Sequence, residues 1–153
     1  ETTGSDLAVS AKVGPNEIEE IRKLAREGAA ASGLPLPPAR EFYVYLRAMA
    51  EKGQLLILRS AAGRVVGFSD WWLLDEKGLE AVKARRVNGV PERISAGRHA
   101  YVPMIVLRPG VEARRATAAL HQALREAYPN LLSISGHRRR DDGGERFVQL
   151  RLR

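Results

Sequence analysis

The sequence predicts an α/β fold of the α+β kind, in the order β-α-α-β-β-(insert)-β-α-β-β. Three observations carry this. Two amphipathic helical stretches precede the first long apolar strand. Two apolar runs, residues 54–60 and 65–74, flank the turn Ala61-Ala62-Gly63-Arg64 as a hairpin. A third apolar run then feeds through Arg108-Pro109-Gly110 directly into an amphipathic helix.

The elements follow in order. Residues 7–13 (LAVSAKV) alternate enough for a first strand, and Gly14-Pro15-Asn16 is turn chemistry, with Asn16 or Pro15 able to open a helix at Glu17. In that helix Ile18, Ile21, Leu24 and Ala25 share one face, and Glu17, Glu19 and Glu20 sit in the first turn, where the dipole favours them. Gly33 is its expected stop, and the prolines of residues 34–38 force an extended linker. A second helix is expected over residues 39–51, with Phe42, Tyr45, Leu46 and Met49 on one side and Gly53 as its end. The hairpin comes next. Residues 75–97 are polar and read as an insertion, with a short helix over 79–86. A strand over 101–107, a helix over 112–128 closed by Pro129, a strand over 131–135, a basic turn over 136–144 and a final alternating strand over 147–152 complete the chain.

At 153 residues the chain is expected to form one domain with a single core. No apolar run approaches the roughly 20 residues needed to cross a bilayer, and the first residues lack the basic and apolar regions of a secretory signal. No membrane partner is expected. The absence of cysteine excludes disulfides and thiolate metal sites and fits a reducing cytoplasm. The three histidines lie too far apart in sequence to suggest a metal site, and none is predicted. The net charge of +7 is uneven: residues 1–53 carry 7 Lys/Arg against 8 Asp/Glu, so the excess lies in the rest. A basic second half suits an anionic partner, whether nucleic acid, a phosphorylated cofactor or an acidic protein surface.

The order of elements resembles the GNAT fold of the Gcn5-related N-acetyltransferases over most of the chain. The hairpin GQLLILRSAAGRVVGFSDW looks like the family's second and third strands, with Gly67 before an aromatic. The strand–loop–helix looks like the cofactor segment, usually V-x-P-x-x-R-x-x-G-x-G/A before an apolar helix. Leu107, Pro109, Ala119, Leu120, Ala123 and Leu124 fit that register. Glu112 stands where the arginine is expected, Arg115 at the first glycine and Thr117 at the second. The resemblance implies a central mixed, mostly antiparallel sheet flanked by helices, in a single domain over residues 1–153 with an insertion at 75–97. It also implies acetyl-CoA or another acyl-CoA as donor and an amine as acceptor. Leu107, Arg108, Pro109, Gly110, Val111, Glu112, Ala113, Arg114 and Arg115 would hold the pantetheine and pyrophosphate, largely through main-chain groups. A helix N-terminus with its unpaired amides is suited to an anion. Arg114 and Arg115 can offset the charge of Glu112.

A narrower echo is of the toxin-activating lysine acyltransferases, a GNAT-related group using acyl carrier protein. That group relies on an early histidine and an aspartate in the central strand. This chain has no histidine before His99 and carries Met104 in that strand, so the mechanism is not carried over. The family's last helix, which often supplies a tyrosine acid, has no counterpart between residues 136 and 147.

Asp70 and His99 are the candidates for proton transfer. A strand acid beside Trp71 and Trp72 can act as a base with a raised pKa, or simply face solvent at a pleat position. His99 lies at the mouth of the central strand, either as a base or as an edge histidine on the surface. His121 marks a helix flank, and His137 opens the basic turn. Of Trp71 and Trp72, one ring belongs on each sheet face. Arg138, Arg139 and Arg140, with Arg146, Arg151 and Arg153, form either a solvated hairpin tip or a phosphate-contacting patch. With only 6% aromatic residues, base-specific readout is not expected. Three functional readings stand: an acyl-CoA-dependent N-acyltransferase; a degenerate GNAT-fold binding or structural module, for example a phage virion component associating with other protein subunits and touching nucleic-acid phosphates through its basic second half; or a basic protein that touches DNA or RNA through the Arg138–Arg140 turn.

Overall fold

The computed structural model describes residues 7–14, 16–32, 38–84, 97–139, 142 and 144–152. The order is β1 (Ala8–Ser10), α1 (Glu17–Ser32), α2 (Ala39–Glu51), β2 (Leu55–Arg59), β3 (Val65–Asp70), β4 (Trp72–Leu74), α3 (Glu76–Lys83), β5 (His99–Tyr101), β6 (Ile105–Leu107), α4 (Ala113–Ala127), β7 (Ser133–Arg139) and β8 (Glu145–Arg151). The strands hydrogen-bond as two four-stranded sheets, β1-β2-β3-β6 and β4-β5-β7-β8. The chain forms two compact units. One holds the residues up to Asp70 with Ile105–Ala123, and the other Trp71–Met104 with Leu124–Arg153.

In the first unit every pairing is antiparallel. All six positions of β3 are buried, so both faces of that strand are covered. Helix α1 packs on α2, β3 and β6. The periodic apolar residues Ile18, Ile21, Leu24 and Ala25 are all buried, as are Phe42, Leu46 and Met49 of α2. At the start of α1, Glu17 accepts from the Gly14 amide at 2.6 Å and pairs with Arg59 at the end of β2 at 2.5 Å. The Arg59 hydrogen bond holds the Glu17 carboxyl below the usual carboxylate range. The hairpin turn closes through Gly63 N–H to Ser60 O, with Gly63 at φ 83°.

Gly67 is fixed by close approach. A Cβ there would lie 2.7 Å from Leu107 Cδ2 and 2.8 Å from the Val106 carbonyl oxygen. Backbone cannot yield as a flexible side chain can. Gly67→Ala is therefore expected to destabilise the chain by about 1–3 kcal/mol in urea unfolding.

In the second unit β4 pairs antiparallel with β5, β5 parallel with β7, and β7 antiparallel with β8. Asp75 caps α3 by accepting from the Gly78 amide at 2.7 Å, and Leu79 and Val82 are buried. Trp71, 2% exposed, meets Tyr128 edge-on and donates to its hydroxyl at 3.3 Å. Trp72 is half-buried against Tyr101.

Strand β1 is shorter than the expected 7–13, β7 starts at Ser133 and not at residue 131, and β8 starts at Glu145 and not at residue 147; four departures are larger. The strand expected over 65–74 breaks at Trp71, and its halves belong to different sheets. The strand expected over 101–107 begins earlier, at His99, and breaks over residues 102–104, because Pro103 has no N–H to give a ladder. The helix expected over 79–86 starts three residues earlier, at Glu76 after its Asp75 cap, and ends at Lys83. Strand β7 runs on to Arg139 and β8 starts at Glu145, so His137 lies in a strand and not in a turn. The proposed stop at Gly33, most of the 34–38 linker, residues 85–96, Arg140 and Arg153 lie outside the described residues. No described helix is long and apolar enough to cross a membrane.

Candidate functional site

The strand that ends at Asp70 carries a carboxyl out of water. Asp70 is 0% exposed, which overturns the alternative of a solvent-facing pleat position. The Tyr45 hydroxyl of α2 donates to its Oδ2, while Oδ1 has no hydrogen-bond partner among the described residues. Burial pushes the carboxyl up to about 7, with the Tyr45 hydrogen bond opposing part of the rise. Such a group changes protonation near neutral pH and keeps one oxygen free to take a proton. Tyr45 is half-buried.

The next strand in that sheet is β6, the last in the order β1-β2-β3-β6. Arg108 N–H donates to Val66 O at 2.8 Å, which makes Arg108 and Val66 a hydrogen-bonded pair. Antiparallel pairs alternate, so Leu107 opposite Gly67 and Ile105 opposite Ser69 are non-hydrogen-bonded pairs. Their N–H and C=O groups therefore point away from β3, on the side where β6 has no strand partner among the described residues. The Ser69–Ile105 pair is the rung next to Asp70.

After β6 the chain turns through Pro109 and Gly110, the latter at φ 93° with nothing within 4 Å of where a Cβ would stand. Val111 N–H closes that turn on Arg108 O at 3.2 Å. Helix α4 then starts at Ala113, so the amides of Ala113, Arg114 and Arg115 lie in a first turn that has no intrahelical acceptors. Glu112 does not stand as a lone anion there: Arg115 Nε is 3.0 Å from its Oε2. The Arg108 guanidinium turns back on the sheet instead, donating to Val65 O at 2.9 Å and facing Glu20 at 3.9 Å. What Arg108 offers a ligand is main chain. Arg114 is exposed.

His99 is buried to 7% exposure, contrary to an edge histidine on the surface. Its Nδ1 is 2.7 Å from Ser133 Oγ and its Nε2 is 2.6 Å from Glu76 Oε1. Both ring nitrogens are thus engaged. His137 Nδ1 meets the Tyr101 hydroxyl at 2.7 Å, and His121 is half-buried on α4. Among the described residues no cluster of three His, Cys, Asp or Glu could hold a metal. Arg138 and Arg146 face each other across β7 and β8, both exposed.

Tyr45, Glu76 and Ser133 were not among the candidates from sequence. Tyr45 had a signal, since a tyrosine on the apolar face of a helix needs a partner for its hydroxyl. Ser133 and Ser135, flanking Ile134, show the period of a strand with one polar face. Glu76 had none.

The mixed arrangement of four helices and these strands is the GNAT fold. An acetyltransferase of the GNAT family from Listeria monocytogenes 4b F2365 superposes with TM-score 0.66 at 12% identity, over 99% of each chain. A GNAT-family acetyltransferase from Brucella melitensis, in complex with acetyl-CoA, gives 0.56 at 12% identity over 96% of this chain and 88% of that one. The GNAT-like decarboxylase GphF, in complex with isobutyryl-CoA, gives 0.62 at 14% identity over 88% and 67%. No protein-family model and no curated protein matches the sequence.

Proposed function

We propose that the chain transfers an acyl group from a coenzyme A thioester to a primary amine, with Asp70 taking the amine's proton. The observation that carries this reading is the buried Asp70 carboxyl, near neutral in affinity and with one oxygen free, at the rung beside an open-edged strand. Structures of this fold bound to acetyl-CoA and isobutyryl-CoA support the choice of donor.

The residues present fit such a donor in the following way. The first-turn amides of α4, with Arg114 and Arg115, suit its phosphates, and the Gly110 turn leaves the approach open. The outward N–H and C=O groups of Leu107 and Ile105 suit the amides of a pantetheine arm, which would lie along the edge as an added strand does. An arm running from the α4 start toward Ile105 ends one strand away from Asp70, roughly 5 Å by strand spacing. The thioester, when bound, supplies a carbonyl already activated toward an amine.

Asp70 then acts as the base. An ammonium must lose a proton before it can attack, and a carboxylate with an affinity near neutral pH accepts it without holding it too tightly. Tyr45 holds the carboxyl in place through Oδ2 and leaves Oδ1 for the proton. His99 is less suited to that role, because both its nitrogens are already engaged.

Leu107→Pro provides a specific check. Proline is tolerated where the N–H faces outward from an edge strand, so the ladder to β3 keeps its bonds while one donor to the arm is lost. Affinity for acetyl-CoA is expected to fall by about 2- to 12-fold, from the loss of one hydrogen bond. The activity itself is tested by following free thiol from acetyl-CoA with a panel of primary amines. Amine-dependent release with N-acetylated product supports transfer. A second reading, a binding module on the same fold, is favoured by Arg115 and Thr117 at the glycine positions of the cradle. If native protein binds no acetyl-CoA but Arg115→Gly with Thr117→Gly does, that second reading stands.

A further inference from the structure

The second unit contains a line of three polar side chains that acyl transfer from coenzyme A, as proposed, does not use. Ser133 Oγ, the His99 imidazole and Glu76 Oε1 lie in sequence at 2.7 and 2.6 Å. Topology brings them together. His99 and Ser133 are register partners in the parallel β5/β7 pair, so their side chains leave the same face of the sheet. Glu76 is the first residue of α3, held there by the Asp75 cap and by packing of that helix on β4 and β5.

The chemistry of this line is directional. An ionised Glu76 accepts from His99 Nε2–H, which leaves the Nδ1 lone pair facing the Ser133 hydroxyl. This is the hydroxyl–imidazole–carboxylate alignment that turns a serine into a nucleophile, and it depends on geometry and not on chain order. The same three residues line an open pocket of about 250 Å³ together with Leu79, Leu132, Glu80, Lys83, Gln149 and Arg151. The two leucines give a short acyl chain an apolar wall. Arg151 is the cross-strand partner of Ser133, which puts a cation on the same rung to meet a carbonyl oxygen as it becomes negative; Lys83 is paired with Glu80 at 3.4 Å.

We infer that Ser133 and His99, positioned by Glu76, form a serine-nucleophile site for short-chain carboxylic esters. The Ser133 oxygen bonds to the ester carbonyl carbon, the carbonyl electron pair moves onto its oxygen, and the hydroxyl proton passes to His99 Nδ1. Collapse breaks the bond to the alcohol oxygen, which leaves with its electron pair and takes that proton. Water then attacks the acyl-serine, gives its proton to the same nitrogen, and releases the acid as the proton returns to Ser133. Ser133 is 1% exposed, so its hydroxyl meets substrate at the floor of this pocket.

The test is p-nitrophenyl acetate turnover with acid quenching and peptide mass mapping, alongside a fluorophosphonate probe. The expected result is one acetyl or phosphonyl group on Ser133, with adduct and turnover lost in Ser133→Ala and reduced at least 100-fold in His99→Gln. Glu76→Gln is expected to lower kcat about 10-fold with KM unchanged, a split that loss of packing does not produce. Each variant is compared at matched circular dichroism. An unfolded variant shifts the decision to the wild-type adduct alone. Folded wild type with no adduct on Ser133, or turnover unchanged in folded Ser133→Ala, overturns the proposal. Neither outcome depends on coenzyme A binding.

Discussion

Asp70→Asn is expected to lower amine acylation by about 100- to 10,000-fold, the usual contribution of a positioned general base, and to raise stability above neutral pH. The two effects have one origin. In the unfolded chain the carboxyl ionises near its ordinary value of 3.8, and in the fold burial raises it to about 7. Between those values the folded state binds the proton and the unfolded state does not, so stability falls as pH rises and then levels off. The full shift corresponds to on the order of 4 kcal/mol. The amide of Asn leaves a buried N–H group short of an acceptor, at about 1–3 kcal/mol. The net gain at pH 8 is then about 1–3 kcal/mol, and toward pH 4 it reverses to a net loss, because the titration contribution vanishes while the cost of the amide remains. Urea unfolding of both proteins at pH 4 and pH 8 measures this. The same titration makes native kcat/KM rise with pH through about 7 and then plateau, a limb that Asp70→Asn removes.

Gly97→Ala is expected to have the largest effect on folding. Gly97 sits at φ 122°, where side chains are strongly disfavoured. A Cβ there would lie 2.2 Å from both the carbonyl carbon and oxygen of Leu74 and 2.4 Å from the Asp75 amide nitrogen. These are backbone atoms at the junction of β4 and the α3 cap, so relief requires moving the strand or losing the Asp75 cap. A loss above about 4 kcal/mol is expected, from strain and overpacking together. Soluble yield and thermal unfolding by circular dichroism report it. Gly110→Ala is the matching control, since Gly110 has a positive φ but open space around its missing Cβ. Its cost is expected to stay near 1–2 kcal/mol, set by the backbone conformation alone.

The legible parts of the fold were those with strong local chemistry. The apolar faces of α1 and α2, the Gly63 turn and the Arg108-Pro109-Gly110 corner can be read from periodicity, glycine and proline. Sheet membership was harder to read, because pairing is chosen between distant segments. Trp71 gave no local sign that β3 ends and β4 begins in another sheet. Pro103 was such a sign, as it cannot sit inside a paired central strand. For the site, Asp70 and His99 could be picked as candidates, but their surroundings could not. Tyr45 lies 25 residues from Asp70, and Glu76 and Ser133 lie 23 and 34 residues from His99. Those separations are closed by the fold. Local patterning carries no record of which polar groups it will bring within hydrogen-bonding distance.

The departures in the cofactor corner acquire a physical meaning from the same geometry. Glu112 is offset by Arg115 at 3.0 Å, so the helix start is not left with a lone negative charge. Arg115 then replaces the bare backbone of a glycine with a side chain that can itself meet a phosphate. Arg108 contributes main chain alone, because its guanidinium is held against Val65 and Glu20.

Isothermal titration of the native chain with acetyl-CoA tests the central claim most directly. Saturable binding to one site per chain, weakened about 2- to 12-fold by Leu107→Pro at unchanged fold, is the predicted result. Absence of heat at millimolar acetyl-CoA from folded native protein, or equal affinity in folded Leu107→Pro, would contradict it.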